Sequence, residues 1–212
     1  MRLLDIEGTV CPVTFVHDVL FPYARSRLSA FVRANRDDPE VAAALQAAMA
    51  EAGVGEGEVV ATLERWIDED RKVTALKVIQ GRLWRSGYAE GALRAPLYDD
   101  VVPALDRWAA GGERIAVYSS GSVEAQQLLF GHTSAGDLRG RFSAWFDTRV
   151  GSKREAASYR EIARACGEPG EQIRFYSDLR PEIDAAAEAG LQTRWIVRDG
   201  QLPAGASRDL GA

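Results

Sequence analysis

The chain has only two cysteines, Cys11 and Cys166, in 212 residues. That is too few to staple a domain of this length, and free thiols in a reducing cytoplasm are the simpler expectation. No stretch approaches the roughly 18 apolar residues of a membrane-spanning helix. There is no run of basic residues, and the formal net charge is -5. Nucleic acid and anionic membrane surfaces are therefore poor candidates for the main partner. No internal repeat or low-complexity tract interrupts the chain; the Ala-rich VAAALQAAMA and DAAAEAG are helix formers. Met1 leads straight into the first strand-like segment, so no signal peptide is expected ahead of it. The balance of 46% apolar and 27% charged residues is that of a globular protein. The length suits one large domain or a domain with an insert.

The patterning has two parts. RLLDI, residues 2–6, reads as a short strand bounded by Gly8 and Thr9. Roughly residues 15–90 then show helical periodicity and no clear strand. FVHDVLFPYARSRLSAFVRAN places Val16, Leu20, Tyr23, Leu28, Phe31 and Val32 near one face, with Pro22 as a kink or restart. Asp38 before Pro39 is a helix cap, and Gly53 a stop. After that, strands and helices alternate. DVVPALDRWAAGG is a helix, RIAVYSSGS a buried strand and polar turn, VEAQQLLFGH a helix. AWFDTRVGSK holds a strand and a loop, REAASYREIARACG a helix, IRFYSDLRPEIDAAAEAG strand, turn and helix again, and QTRWIVRDG a last strand. Such alternation predicts a doubly wound parallel sheet, an α/β core in segments 1–14 and 92–212, with an all-helical insert over 15–91. The tail GQLPAGASRDLGA is expected to fray.

In an open parallel sheet, ligands sit beyond the carboxyl ends of the strands. Four such ends carry polar chemistry: Asp5 with Glu7, Ser119 with Ser120, Lys153 in its loop, and Ser177 with Asp178. Asp5 and Asp178 are of the type that holds a hard divalent ion such as magnesium, with the Glu7 carbonyl as a third oxygen donor. Ser119, the backbone amides of SSGS and Lys153 suit the oxygens of a phosphate. A carboxylate nucleophile can attack phosphorus and form an acyl phosphate that water hydrolyses. Magnesium and Lys153 would offset the repulsion between two anionic reactants.

Each residue also has a plainer reading. Asp5 suits a turn, Ser119 and Ser120 the cap of the helix near Val123 (a role Ser122 fills equally well), and Asp178 the cap of the helix near Pro181. Lys153 alone would be a solvated lysine. Glu182 and Asp184 are expected to lie in a solvated first turn favoured by the helix dipole. His17 is expected half-buried at a hinge, His132 at a helix end, Trp84 in a core, and Cys11 as a small hydrophobe.

DIEGT, YSSGS, the lysine of VGSKREAASY, and YSDLRPEIDAA resemble the four motifs of the haloacid-dehalogenase-like hydrolases. LLDIEGTVCPVTFVHDVLFPYAR, LKVIQGRLWRSGYAEGAL, VYSSGSVEAQQLLFGH and GDLRGRFSAWFDTRVGSKREAASYREIA are similar to the enolase-phosphatase branch, in the same order, over about residues 3–198. The resemblance implies a helical cap on a Rossmann-like core, one magnesium ion per subunit, a monomer, and a bifunctional reaction on a small-molecule phosphate ester. It implies enolisation of 2,3-diketo-5-methylthiopentyl 1-phosphate and then dephosphorylation to the acireductone of methionine salvage. By motif, Asp5 is the nucleophile and a metal ligand, Glu7 a ligand through its carbonyl, and Asp178 the completing ligand. Ser119 and Ser120 contact substrate and phosphate, and Lys153 pairs with the phosphate. Glu7 stands where most phosphatases of the superfamily have Asp as general acid and base. One extra methylene moves the carboxyl by about 1.5 Å, enough to change which atom it reaches. Glu7, His17 and Lys77 are the candidates for the enolisation base. A simpler phosphomonoesterase, a phosphonate-cleaving enzyme and a non-catalytic sugar-phosphate sensor on the same fold are the competing readings.

Overall fold

The structure, a computed structural model, describes residues 1–211. The chain divides into two compact units. One is Met1–Val13 together with the chain from Ala95 onward; the other is Thr14–Arg94. The strands are β1 (Arg2–Leu4), β2 (Ile115–Tyr118), β3 (Ala144–Phe146), β4 (Arg174–Ser177), β5 (Gln192–Ile196) and β6 (Ala206–Ser207). The helices are α1 (Val13–Phe15), α2 (Phe21–Ala34), α3 (Pro39–Ala52), α4 (Val59–Asp68), α5 (Thr74–Ala89), α6 (Val101–Ala110), α7 (Val123–Gly131), α8 (Ala156–Cys166) and α9 (Arg180–Glu188).

All six strands lie in one parallel sheet, ordered β3-β2-β1-β4-β5-β6. Past Arg2, β1 and β2 are apolar because helices cover both faces of such a sheet. All four residues of β2 are buried, and Leu3 and Leu4 of β1 are fully so. The order reverses direction between β1 and β4, with Leu4 opposite Tyr176. At that point the connections leave on opposite faces and open a crevice at the carboxyl ends. The residues following β1 and β4 are Asp5 and Asp178.

The second unit is all helical. α2 to α5 close around Leu28, Val41, Leu63, Trp66, Leu76 and Ile79. Asp38 caps α3, accepting from the amides of Glu40 and Val41, and Gly53 ends it in the left-handed conformation at φ 66°. Upstream of α2 the chain makes a π-helical turn over Val16–Leu20, in which the Phe21 amide bonds back to the Val16 carbonyl. The next residue, Pro22, has no amide hydrogen to hold an α-helical ladder across the junction.

The tail departs from expectation. Instead of fraying, β6 adds to the sheet beside β5, and Leu210 is 1% exposed. Polar and glycine-rich composition signals disorder only where no acceptor waits for the backbone. Here the Leu210 amide donates to Asp100 Oδ2 at 2.8 Å.

Candidate functional site

Asp5 is the first residue past β1, and its amide still pairs with the Tyr176 carbonyl at 3.0 Å. The ladder therefore holds the Asp5 backbone rigidly while the side chain projects beyond the sheet. The residue is 4% exposed. Lys153 reaches it from the loop after β3. Two buried tyrosines pin that loop: Tyr118 donates to the Gly151 carbonyl (3.0 Å) and Tyr159 to the Lys153 carbonyl (2.7 Å). The Lys153 ammonium donates to Asp5 Oδ1 and forms a second ion pair with Glu182 Oε2 at 2.7 Å. Burial works against the ammonium, but Asp5 and Glu182 outweigh it and hold the Lys153 pKa above the ordinary lysine range.

Glu182 overturns the expectation of a solvated turn. It is 5% exposed and also accepts from the Ser177 hydroxyl at 2.9 Å. Its neighbour Asp184 behaves as expected, exposed and paired with Arg180. The signal was positional. Leu179 is the residue before α9, so Glu182 falls at the third helical position, where a glutamate reaches back toward the helix entry. In this chain it reaches past the cap to the lysine. Burial and the nearby Asp5 raise its pKa above the usual carboxylate range, with Lys153 acting the other way.

Asp178 does not cap α9; the Leu179 amide is taken by Ser177 Oγ. Its backbone is held by the Asp178 amide donating to Thr9 Oγ1 (3.0 Å) and by Trp195 Nε1 donating to the Asp178 carbonyl (2.9 Å). Burial first, then the charge of Asp5, pushes its pKa up to about 7. Oδ1 is buried without a hydrogen-bond partner. Gly8, at φ +73°, passes so close that a β-carbon there would lie 2.3 Å from Asp178 Oδ2. Three carboxylates thus face one ammonium, with a buried oxygen unsatisfied. That excess of negative charge and hard oxygen donors fits a divalent cation such as magnesium. Among the described residues no group of three or more His, Cys, Asp or Glu side chains is arranged to hold a metal. The set that fits is two carboxylates, Asp5 and Asp178, with main-chain oxygen.

At the end of β2, Ser119 is 3% exposed and Ser120 half-buried. Ser119 Oγ accepts from the Gly121 amide at 3.2 Å, Ser122 caps α7 through the Ala125 amide, and Asp147 accepts from the Val123 amide. Of the SSGS amides offered to phosphate, that of Ser119 donates to the Phe146 carbonyl and that of Gly121 to Ser119 Oγ, so these two are engaged within the protein. Gln126 stiffens the turn by donating to the Gly121 and Phe146 carbonyls.

Glu7 is half-buried in the loop after Asp5, close enough to Cys11 for its charge to help burial push that thiol up to about 12. Cys11 is fully buried and unpaired with Cys166, as a small hydrophobe would be. In the helical unit His17 is exposed, not half-buried, and its ring makes a T-shaped contact with Phe21, centroids 5.5 Å apart. Lys77 is half-buried on α5. Trp84 packs on the helical core, stacks on Phe21, and donates to the Leu20 carbonyl. His132 closes α7, its Nδ1 2.9 Å from the Leu128 carbonyl.

Comparison with known proteins places these features in a family. The model of haloacid dehalogenase-like hydrolases matches residues 3–190. A protein of Pectobacterium carotovorum named Enolase-phosphatase E1 is 54% identical, over 92% of this chain and 86% of its own. One of the same name from Sorangium cellulosum is 54% identical, over 93% and 88%. Among solved structures, the UTR4 protein of Saccharomyces cerevisiae superimposes with a TM-score of 0.82 at 33% identity, covering 99% of this chain and 95% of that one.

Proposed function

Because the chain belongs to the haloacid dehalogenase-like hydrolases, we propose that it is a magnesium-dependent enolase-phosphatase of methionine salvage. Its substrate is 2,3-diketo-5-methylthiopentyl 1-phosphate and its products are the acireductone and inorganic phosphate. The names and near-complete coverage of relatives above half identical support this activity. The observation that carries it is the buried cluster at the β1/β4 crevice, in which Lys153 bridges Asp5 and Glu182 beside the unsatisfied Asp178 oxygen.

In this reading an Asp5 carboxylate oxygen attacks phosphorus, and the bond from phosphorus to the substrate oxygen breaks. The phosphoryl group passes to Asp5 as an acyl phosphate, which water then cleaves to regenerate the carboxylate. Lys153 holds Asp5 in place before attack and offsets the charge spread over the phosphoryl oxygens during it. Glu182 keeps the ammonium charged and aimed. Ser119 and Ser120 contact the phosphate end of the substrate from the close of β2. Asp5, Asp178 and the Glu7 carbonyl would hold magnesium, which would supply positive charge to offset the repulsion between an anionic nucleophile and an anionic ester. Enolisation precedes this and removes a proton beside a carbonyl. Glu7, the longer acid at the position two past the nucleophile, is assigned proton transfer. Segment 15–91 is the cap, the enzyme acts as a monomer, and the buried free thiols suit a cytoplasmic setting.

The test is to supply the diketo phosphate with magnesium and follow enediol absorbance and free phosphate together. Turnover of both, lost on chelation and in Asp5→Asn, is the expected result. Phosphate release from Asp5→Asn at the wild-type rate would defeat the reading.

A further inference from the structure

Arg198 lies just past β5, and its side chain is only 8% exposed. All three guanidinium nitrogens are committed. Nε donates to the Thr9 carbonyl at 3.0 Å, and Nη2 donates to the same oxygen. Nη1 donates to Asp100 Oδ1 (2.7 Å) and to the Arg208 carbonyl (2.9 Å). The plane lies over Tyr98, with Cζ 4.2 Å from the ring centroid, and the Tyr98 amide in turn holds the Val10 carbonyl. Asp100 is itself anchored by the Leu210 amide from the C-terminal segment.

What Arg198 grips matters more than how tightly. Thr9 is fully buried, and its hydroxyl receives the Asp178 amide. Gly8, one residue before it, fills the space against the Asp178 carboxylate so closely that no side chain fits. Glu7, two before it, offers the carbonyl assigned to magnesium. A loop in van der Waals contact with a ligand carboxylate transmits small displacements directly, since packed interiors do not absorb them. A two-point guanidinium clamp on one carbonyl fixes that loop in position and orientation, which a single-point lysine ammonium does not.

We propose that Arg198 is a positioning residue: anchored by Asp100 and the C-terminal segment, it clamps the Thr9 carbonyl and so sets the Glu7–Thr9 loop against Asp178. This inference rests on the function proposed above. It gives the C-terminal segment a part in the chemistry, since the Leu210 amide holds the anchor Asp100 and the Arg208 carbonyl holds Arg198 itself. Outer partners of ligand groups ordinarily cost about 10–100-fold in affinity or rate when removed.

The experiment compares wild type, Arg198→Met and Arg198→Lys for magnesium binding by calorimetry without substrate, and for kcat and KM. Circular dichroism and thermal unfolding gauge the folded fraction. Should Arg198→Met fail to fold, Arg198→Lys carries the same reading, because it keeps the charge and one donor. The expected result is a folded variant whose magnesium binding is weaker by roughly tenfold or more. Its kcat falls, its KM at saturating magnesium changes little, and excess magnesium restores part of the rate. A folded variant with wild-type magnesium affinity and kcat, or one whose activity falls only with its folded fraction, overturns the inference. Wild type that binds no magnesium or releases no phosphate overturns the function and the inference together.

Discussion

Replacing Asp178 by asparagine sets stability and function in opposition. The change keeps the shape of the side chain and removes its charge. In the metal-free protein that charge is a burden, because burial and Asp5 raise the pKa from 3.8 to about 7. A carboxyl that binds its proton more tightly folded than unfolded makes the fold lose stability as pH rises from the unfolded value to the folded one. The loss begins near pH 4, is complete near pH 7 and stays constant above. A rise of roughly three pH units, at about 1.4 kcal/mol each, sets a ceiling of about 4 kcal/mol. Asp178 is half-buried, so solvent screening reduces this to about 2 kcal/mol. For a chain of this length that is roughly 4–8 °C in Tm. Thermal unfolding in EDTA at pH 4, 5 and 8 is the assay. Asp178→Asn should match wild type near pH 4 and exceed it by the full margin at pH 8. Added magnesium should stabilise wild type and not the variant, and phosphate release by the variant should collapse. A variant no more stable than wild type at pH 8 in EDTA would refute the reasoning, since Asp178 would then carry no burden for a cation to relieve.

Three further outcomes follow from the same geometry. Gly8→Ala forces a β-carbon onto Asp178 at a left-handed backbone position, costing about 1–3 kcal/mol by strain alone; calorimetry should show magnesium binding lost, and wild-type binding would contradict the close approach. Glu182→Gln should lower kcat by about 10–100-fold by loosening Lys153, while the exposed Asp184→Asn leaves kcat within error; equal rates in both would return Glu182 to the solvated turn. With its pKa near 12, Cys11 is about one part in 10⁴ thiolate at pH 8, so a thiol reagent should titrate essentially nothing in the native protein and two thiols in urea; rapid labelling of one native thiol would show that burial is not what protects it.

The legibility of the site follows from where its information lies. Asp5, Ser119, Lys153 and Asp178 were readable because each follows an apolar strand or a glycine-bounded loop, and a parallel sheet gathers such ends at one edge. Glu182 sits one turn into a helix, where an acidic residue is ordinarily solvated and favoured by the dipole. Whether it faces water or a lysine 29 positions earlier depends on how α9 docks, which periodicity does not report. Thr9 lies within the DIEGT motif, but its hydrogen bond to the Asp178 amide is not readable from it, and Arg198 left no signal, since an arginine after a strand is an ordinary choice.

By itself the sequence determined the alternation of strands and helices, the all-helical stretch inserted after β1, and the residue types offered at the strand ends. These are local properties, set by the spacing of apolar side chains and by glycine and proline. Only the tertiary structure decided the strand order that makes Asp5 and Asp178 neighbours, the turning of Glu182 inward, and the capture of the C-terminal segment by Asp100 and Arg198. Those outcomes are sums of charge, burial and hydrogen bonding between groups 100 or more residues apart in several cases, and each term exists only once the chain has folded to bring them into contact.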